Sequence, residues 1–203
     1  MNTSPYHELP ISAWEDKTKE LIEQHPLNST EIYEVVLKVW AEIFESNITS
    51  GGYRIGVDFF PRPQIMGYFL HELIPLEFSR RYPNFWRREQ NDGEKDLVYI
   101  PDPRFSIEIK TSSSARSTYG NRSYAQTSTT GRTAKKRDKS GYYLVINFQK
   151  FDKNITQIQQ PKITLIRFGW IDGGDWKGKA AATGQQAKLS RDVERYKLLS
   201  LPL

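Results

Sequence analysis

An α/β fold, with helices leading and a central sheet behind them, is what this sequence predicts. Three observations carry that expectation. Apolar residues recur at helical spacing through the first third of the chain, the pattern switches near residue 96 to short β-rich runs, and two later runs are apolar enough to lie mid-sheet beneath packed helices.

Taken in order, Ser12-Ala13-Trp14-Glu15 is a capping-box pattern ahead of an amphipathic run to Gln24, and Pro26 should end that helix. A second helix is expected from about residue 29 to 45. Its Ile32, Val35, Val36, Val39, Trp40 and Ile43 fall at intervals of 3, 4 and 7, a stripe for burial. Gly51-Gly52 breaks the chain, and Phe59-Phe60-Pro61-Arg62-Pro63 is a rigid approach to a third helix from Pro63 to His71 or beyond. That helix should turn Ile65, Phe69, Leu70 and Leu73 inward, with Pro75 kinking or ending it. Residues 96–100 and 105–110 are two strands separated by Pro101-Asp102-Pro103-Arg104, whose prolines cannot continue a ladder, so the pair reads as a hairpin. Residues 142–148 and 163–170 are two further strands, 173–178 a loop, and 187–199 a closing helix.

Composition narrows the chemistry. A chain of 203 residues, 37% hydrophobic, is one domain's worth. It has no apolar run of the roughly 18 residues that cross a bilayer and no basic-then-apolar leader, which implies a cytoplasmic protein without a membrane partner. The absence of cysteine excludes disulfides, thiol catalysis and Cys-based metal sites, and the histidines at 7, 25 and 71 form no His-x-x-x-His pair. Any metal must be held mostly by carboxylates. Of the net charge of +5, residues 104–141 carry +7 (nine Lys/Arg against Glu108 and Asp138), leaving −2 for the rest. A polyanion-binding face has that distribution, and so does a solvated loop.

Asp96, Glu108 and Lys110 carry the chemical argument. In a hairpin turning over residues 101–104, positions whose numbers sum to about 205 face each other, so Asp96 lies opposite Glu108 or Ile109. Directly opposed side chains stand with Cβ atoms roughly 4.5–5.5 Å apart, a spacing at which two carboxylates can share a divalent cation. Glu108 and Lys110 are two apart and point to the same face of their strand. Hard oxygen ligands that would otherwise repel predict Mg²⁺, or Mn²⁺ in its place, retaining several waters. Such a centre suits phosphodiester hydrolysis, with Lys110 positioning the water. An exposed charged stripe would contain the same residues. The apolar flanks Ile107 and Ile109, the preceding helix and the basic segment that follows favour a buried site instead. Pro101-Asp102 supplies a second aspartate, but it lies six residues from Glu108 and belongs in the turn. His71 reads as structural or exposed.

The segment after this strand mixes hydroxyls, amides, arginines and tyrosines. Arg116, Asn121, Arg122 and Gln126 are candidates to read base edges, and Lys135, Lys136, Arg137 and Lys139 to contact phosphates. Tyr124 and Arg132 complete the expected DNA-binding set.

The pattern Lys95-Asp96, eleven residues, Glu108-Ile109-Lys110 resembles the active centre of the PD-(D/E)XK nuclease superfamily, with Lys95 where that motif has proline, and the resemblance implies a further acidic ligand from the helix before the hairpin, Glu72, with Glu77 as second choice. Residues 141–148, 166–172 and 183–187, with the 107–110 core and the Ser/Arg/Tyr segment, also resemble type II restriction endonucleases of the ScaI-related family over roughly the last half of the chain. The resemblance implies a restriction-endonuclease-like mixed β-sheet flanked by helices, in a single nuclease domain over 1–203: a helical part to residue 60, then the catalytic core and C-terminal helix over 61–203. It also implies a sequence-specific, Mg²⁺-dependent endonuclease that cuts double-stranded DNA at a short palindrome, leaves 5′-phosphates, and is matched in its host by a methyltransferase. One centre per chain calls for a homodimer to cut both strands.

Overall fold

The computed structural model describes residues 4–121, 124, 139–155, 157–178 and 186–202. Helices α1 (Trp14–Glu23) and α2 (Ser29–Glu45) come first, followed by the short strands β1 (Asn47–Ile48) and β2 (Tyr53–Arg54) and helix α3 (Pro63–Arg81). Strands β3 (Trp86–Arg88), β4 (Leu97–Tyr99), β5 (Ile107–Ser112), β6 (Tyr119–Asn121), β7 (Gly141–Phe148) and β8 (Ile163–Ile171) follow. The chain closes with β9 (Lys177–Gly178), β10 (Gln186–Lys188), helix α4 (Arg191–Tyr196) and β11 (Leu199–Ser200).

Six strands form one sheet in the order β11-β8-β7-β5-β4-β3. It is mixed, because β5 and β7 run parallel while the other neighbours are antiparallel. The alternation of side chains along β5 and β7 assigns the faces. Ile107 and Ile109 join Tyr142, Leu144, Ile146 and Phe148 in the larger core with α1, α2 and α3. Tyr143 and Val145 belong to a second core with Trp176, Ala187, Leu189, Val193 and Leu198. Glu108 and Lys110 pair in register with Tyr143 and Val145, so they share this second face, over which the small sheet β6-β10-β9 is built.

The expected stripe of α2 is buried from Ile32 to Ile43, and the Asn28 side chain caps the helix by accepting from the Thr30 N–H. Each such buried aliphatic contributes about 1.5–3 kcal/mol. Other expectations are corrected. The first helix begins at Trp14 without a side-chain cap, because the Ala13 N–H bonds to the Pro10 carbonyl and draws Ser12 into a 3₁₀ turn. Glu15 pairs with Lys19 instead. The third helix runs through Pro75 to Arg81 and turns Met66, Leu70, Ile74, Pro75 and Phe78 inward, leaving Ile65 exposed. A proline inside a helix costs about 3 kcal/mol, and burial of that apolar face, Pro75 included, offsets it. Phe69 and Leu73 pack against the core partly buried, as expected. The closing helix is only Arg191–Tyr196, because β10 pairs with β6 and β11 with the free edge of β8. The expected loop at 173–178 is a 3₁₀ turn, Gly173–Asp175, and then β9.

Two contacts seat the site-bearing strands. A Cβ on Gly67 of α3 would stand 2.5 Å from Thr111 Oγ1, so only glycine lets the helix lie this close to β5. His25, 6% exposed, ties the α1–α2 turn to the turn before β5. Its Nδ1 accepts from the Leu27 N–H at 3.1 Å and its Nε2–H donates to the Phe105 carbonyl at 3.0 Å, which defines a neutral ring. Burial pulls its pKa down to about 4.

Because the unfolded chain holds this imidazole at about 6.5, it binds the extra proton first as pH falls. Stability from neutral His25 is therefore complete above that value and is lost downward towards pH 4. The unfolding free energy should drop by about 2 kcal/mol between pH 7 and 5, before most carboxylates titrate, and His25→Gln should remove that part of the slope in denaturant titrations. An unchanged slope would contradict the assignment.

Candidate active site

Strand β4 meets β5 at Leu97↔Ile107, and continuing that register sets Asp96 opposite Glu108. Asp96 then does with its side chain what the backbone no longer does, since Oδ2 accepts from the Ile109 N–H at 2.6 Å. Glu108 has 5% of its side chain exposed. Lys110 Nζ donates to its Oε1 at 2.7 Å and to the Ile109 carbonyl at 3.1 Å, and the Tyr124 hydroxyl donates to the same Oε1. Burial pushes the Glu108 pKa up. The ammonium groups of Lys110 and Lys95, with the hydrogen bonds from Lys110 and Tyr124, outweigh burial and hold the carboxyl well below the usual carboxylate range. At neutral pH the group is a carboxylate.

Asp96, Glu108, Lys110 and Tyr124 line one cleft of about 540 Å³ with His71, Glu89, Asp92, Thr111, Tyr119, Asn121 and Lys139. His71 Nδ1 lies 3.7 Å from Asp96 Oδ2, so the ring stands at the site. A smaller cleft of about 190 Å³ shares Asp96, His71 and Glu89 and adds Glu72, whose carboxylate bonds Arg88 at 3.0 Å. Glu72 thus lies beside Asp96 but in the neighbouring cleft. The second choice, Glu77, lines neither cleft. Arg80, Arg81 and Lys38 surround it at 2.8, 2.9 and 3.4 Å, and the guanidiniums hold its carboxyl down to about 2. Asp102 stays in the turn, as expected, bonded to Arg104.

Sequence reasoning missed Glu89, Asp92 and the placement of His71. Arg88 pairs with Leu97, which brings Glu89 beside Asp96, and the Glu89 N–H bonds the Asp96 carbonyl at 3.2 Å. A three-residue strand shows no alternation that could have signalled this.

Among the described residues no three His, Asp or Glu side chains form a ready metal cage. Asp96 and Glu108 nevertheless supply hard anionic oxygens to one polar, water-accessible cleft. That donor set fits Mg²⁺, which is bound through one or two carboxylates and keeps its waters.

Of the basic segment, Asn121 and Lys139 line the cleft, and the Lys139 ammonium sits 4.1 Å over the Tyr124 ring centroid. Arg116 is exposed. Tyr124 differs from its expected place among DNA contacts: it is buried against Trp176, and its hydroxyl serves Glu108. Arg122, Gln126, Arg132, Lys135, Lys136 and Arg137 lie outside the described residues. A buried polar pair anchors the chain leaving β5. Asn147 Nδ2 donates to the Ser114 carbonyl at 2.9 Å, and Arg167 Nη2 donates to the Arg116 carbonyl, to Thr118 Oγ1 at 3.0 Å and to Asn147 Oδ1 at 3.2 Å. Burial lowers the Arg167 pKa, yet a guanidinium stays charged, and here carbonyl, hydroxyl and amide oxygens surround it.

An aspartate and a Glu-x-Lys on adjoining strands of a mixed sheet, beside a polar cleft, agree with two comparisons. Residues 4–202 match the ScaI restriction endonuclease family. The type II restriction enzyme ScaI of Streptomyces caespitosus is 40% identical over 198 residues, 98% of this chain and 84% of that enzyme. With the match spanning nearly every residue, the chain belongs to the ScaI restriction endonuclease family.

Proposed function

We propose that this protein is a type II restriction endonuclease: a sequence-specific, Mg²⁺-dependent hydrolase of double-stranded DNA that cuts a short palindromic site and leaves 5′-phosphate ends. The observation that carries the reading is the charged Glu108–Lys110 pair facing Asp96 in one cleft. Asp96 and Glu108 hold the divalent cation, with Glu72 as a further acid from the adjoining cleft. When bound, the cation neutralises charge on the phosphate oxygens and acidifies its waters. Lys110 spends two of its three N–H donors on Glu108 and the Ile109 carbonyl, and the third is directed to the attacking water. Tyr124 keeps Glu108 in place, while Asn121, Lys139 and the basic segment beyond them engage the duplex. The cut is completed by a second protomer on the other strand, because the described residues of one chain form one such centre and a two-fold dimer matches a palindrome. Among the described residues no helix is long and apolar enough to cross a membrane. The same reading places the enzyme in the cytoplasm, beside a methyltransferase that protects the host's own sites.

Incubation with long unmodified DNA and Mg²⁺ should give discrete fragments whose sequenced ends share one palindrome, with activity lost in EDTA. Smeared or nicked products would point instead to a structure-specific nuclease. Lys110→Ala should slow cleavage by about 10²–10⁴-fold while retaining DNA binding, and equal cleavage by this variant would remove the lysine from the chemistry. Tyr124→Phe leaves Lys110 on Glu108 but deletes a hydrogen bond to a charged group, worth about 1.5–3 kcal/mol. Its single-turnover rate should fall roughly tenfold or more, and an unaltered rate would refute the supporting role. Sedimentation on cognate DNA should show two protomers per duplex, and a single protomer would sink the dimeric mechanism.

A further inference from the structure

We propose that Lys95, which stands where the nuclease motif has proline, is a positioning residue: seated over Tyr143 through the gap left by Gly141, it supplies a second fixed positive charge to Glu108. The proposal rests on the reading of Asp96 and Glu108 as cation ligands.

Three features place the side chain. Lys95 directly precedes Asp96, so its backbone is set by the same strand entry. Its stem crosses the start of β7 at Gly141, where a Cβ would stand 2.8 Å from Lys95 Cε and 3.1 Å from Nζ. Gly141 also has φ +140°, a conformation that L side chains rarely adopt, so its backbone reserves the position for glycine, and a Cβ there would displace the tip of Lys95. The ammonium then lies 5.0 Å over the ring of Tyr143. Tyr143 is the register partner of Glu108 across the parallel β5–β7 pair and lies on the same face, so Lys95 is held beside the strand neighbour of the carboxylate.

A carboxylate this deeply buried is costly unless opposite charge is fixed near it. Lys110 supplies one such charge, bonded to Glu108 at 2.7 Å, and Lys95 supplies another from over Tyr143, the register partner of Glu108. A proline at position 95 would bring no such charge. The consequence concerns the cation more than the fold. With Lys95 present, Glu108 is balanced before a divalent ion arrives, and the ion binds against that positive charge. Removing the charge should make the cleft more electronegative, so the ion binds more tightly while DNA approaches less readily without it.

The test is Mn²⁺ binding to the whole protein without DNA, read as the disappearance of the free-ion electron paramagnetic resonance signal. Lys95→Met should bind Mn²⁺ about tenfold more tightly than wild type, and Lys95→Arg should restore the wild-type value. Metal-free DNA affinity should move the opposite way in Lys95→Met. Loss of packing alone would weaken both. Equal or weaker Mn²⁺ binding by Lys95→Met overturns the proposal. Should that variant fail to fold, Lys95→Gln, with a polar tip of similar reach, gives the same comparison. Glu108→Gln separates this idea from its premise. If it leaves Mn²⁺ binding untouched, the cation site itself is wrong and the role of Lys95 falls with it. If it abolishes binding while the Lys95 variants match wild type, only the role of Lys95 is lost.

Discussion

A glutamate with 5% of its side chain exposed can remain charged only where cations and hydrogen-bond donors are fixed around it, and the site side of this protein is arranged about that requirement at Glu108. Lys110 comes from the same strand two residues on, Tyr124 from the chain just after β6, and Lys95 from the end of the neighbouring loop. Each is held by something else. Lys110 is tethered to the Ile109 carbonyl, Tyr124 packs on Trp176, and Lys95 threads past Gly141. The result is a preorganised site in which a buried carboxylate is held charged and oriented.

The two faces of β5 explain how one strand can serve stability and chemistry together. Ile107 and Ile109 point into the helix-covered core, whereas Glu108 and Lys110 point to the face covered by the small sheet. A shift of register by one residue would put the acid and the base into the apolar core. Long pairings on both sides of β7, from Ile107↔Tyr142 to Ser112↔Asn147 and from Gly141↔Ile171 to Phe148↔Ile163, oppose that slip. On the site face, Asn147 and Arg167 extend the same order outward and fix the chain from Ser114 to Thr118 as it leaves towards the basic segment. Ties at the helix face, His25 to the Phe105 carbonyl and Gly67 against Thr111, fix the same strand from the other side.

How much of this is legible in the sequence varies with the physical signal. The α2 stripe and strands β5, β7 and β8 are written in periodicity, because a side chain facing a core must recur with the geometry of its own element. That Asp96 lies opposite Glu108 or Ile109 followed from the two prolines that confine the turn, and the register Leu97↔Ile107 selects Glu108. Ile65 and the closing helix misled because tertiary partners outranked local preference, and Ser12 because a competing local turn did. A Pro10-led turn displaced a good cap, α3 rotated to bury Met66 and Phe78, and β10 and β11 were drawn into strands by waiting edges.

By itself the sequence determined which residues share a strand face and that two carboxylates and a lysine would meet across a hairpin, because those relations depend only on short spacings and on turn chemistry. The tertiary structure alone decided that Glu72 sits in the adjoining cleft against Arg88, that Glu89 and His71 stand by Asp96, and that Tyr124 turns inward to Glu108. Those placements join residues far apart along the chain or on elements too short to carry a period. They are set by packing the helices and the small sheet onto opposite faces of the mixed sheet, which no local pattern encodes.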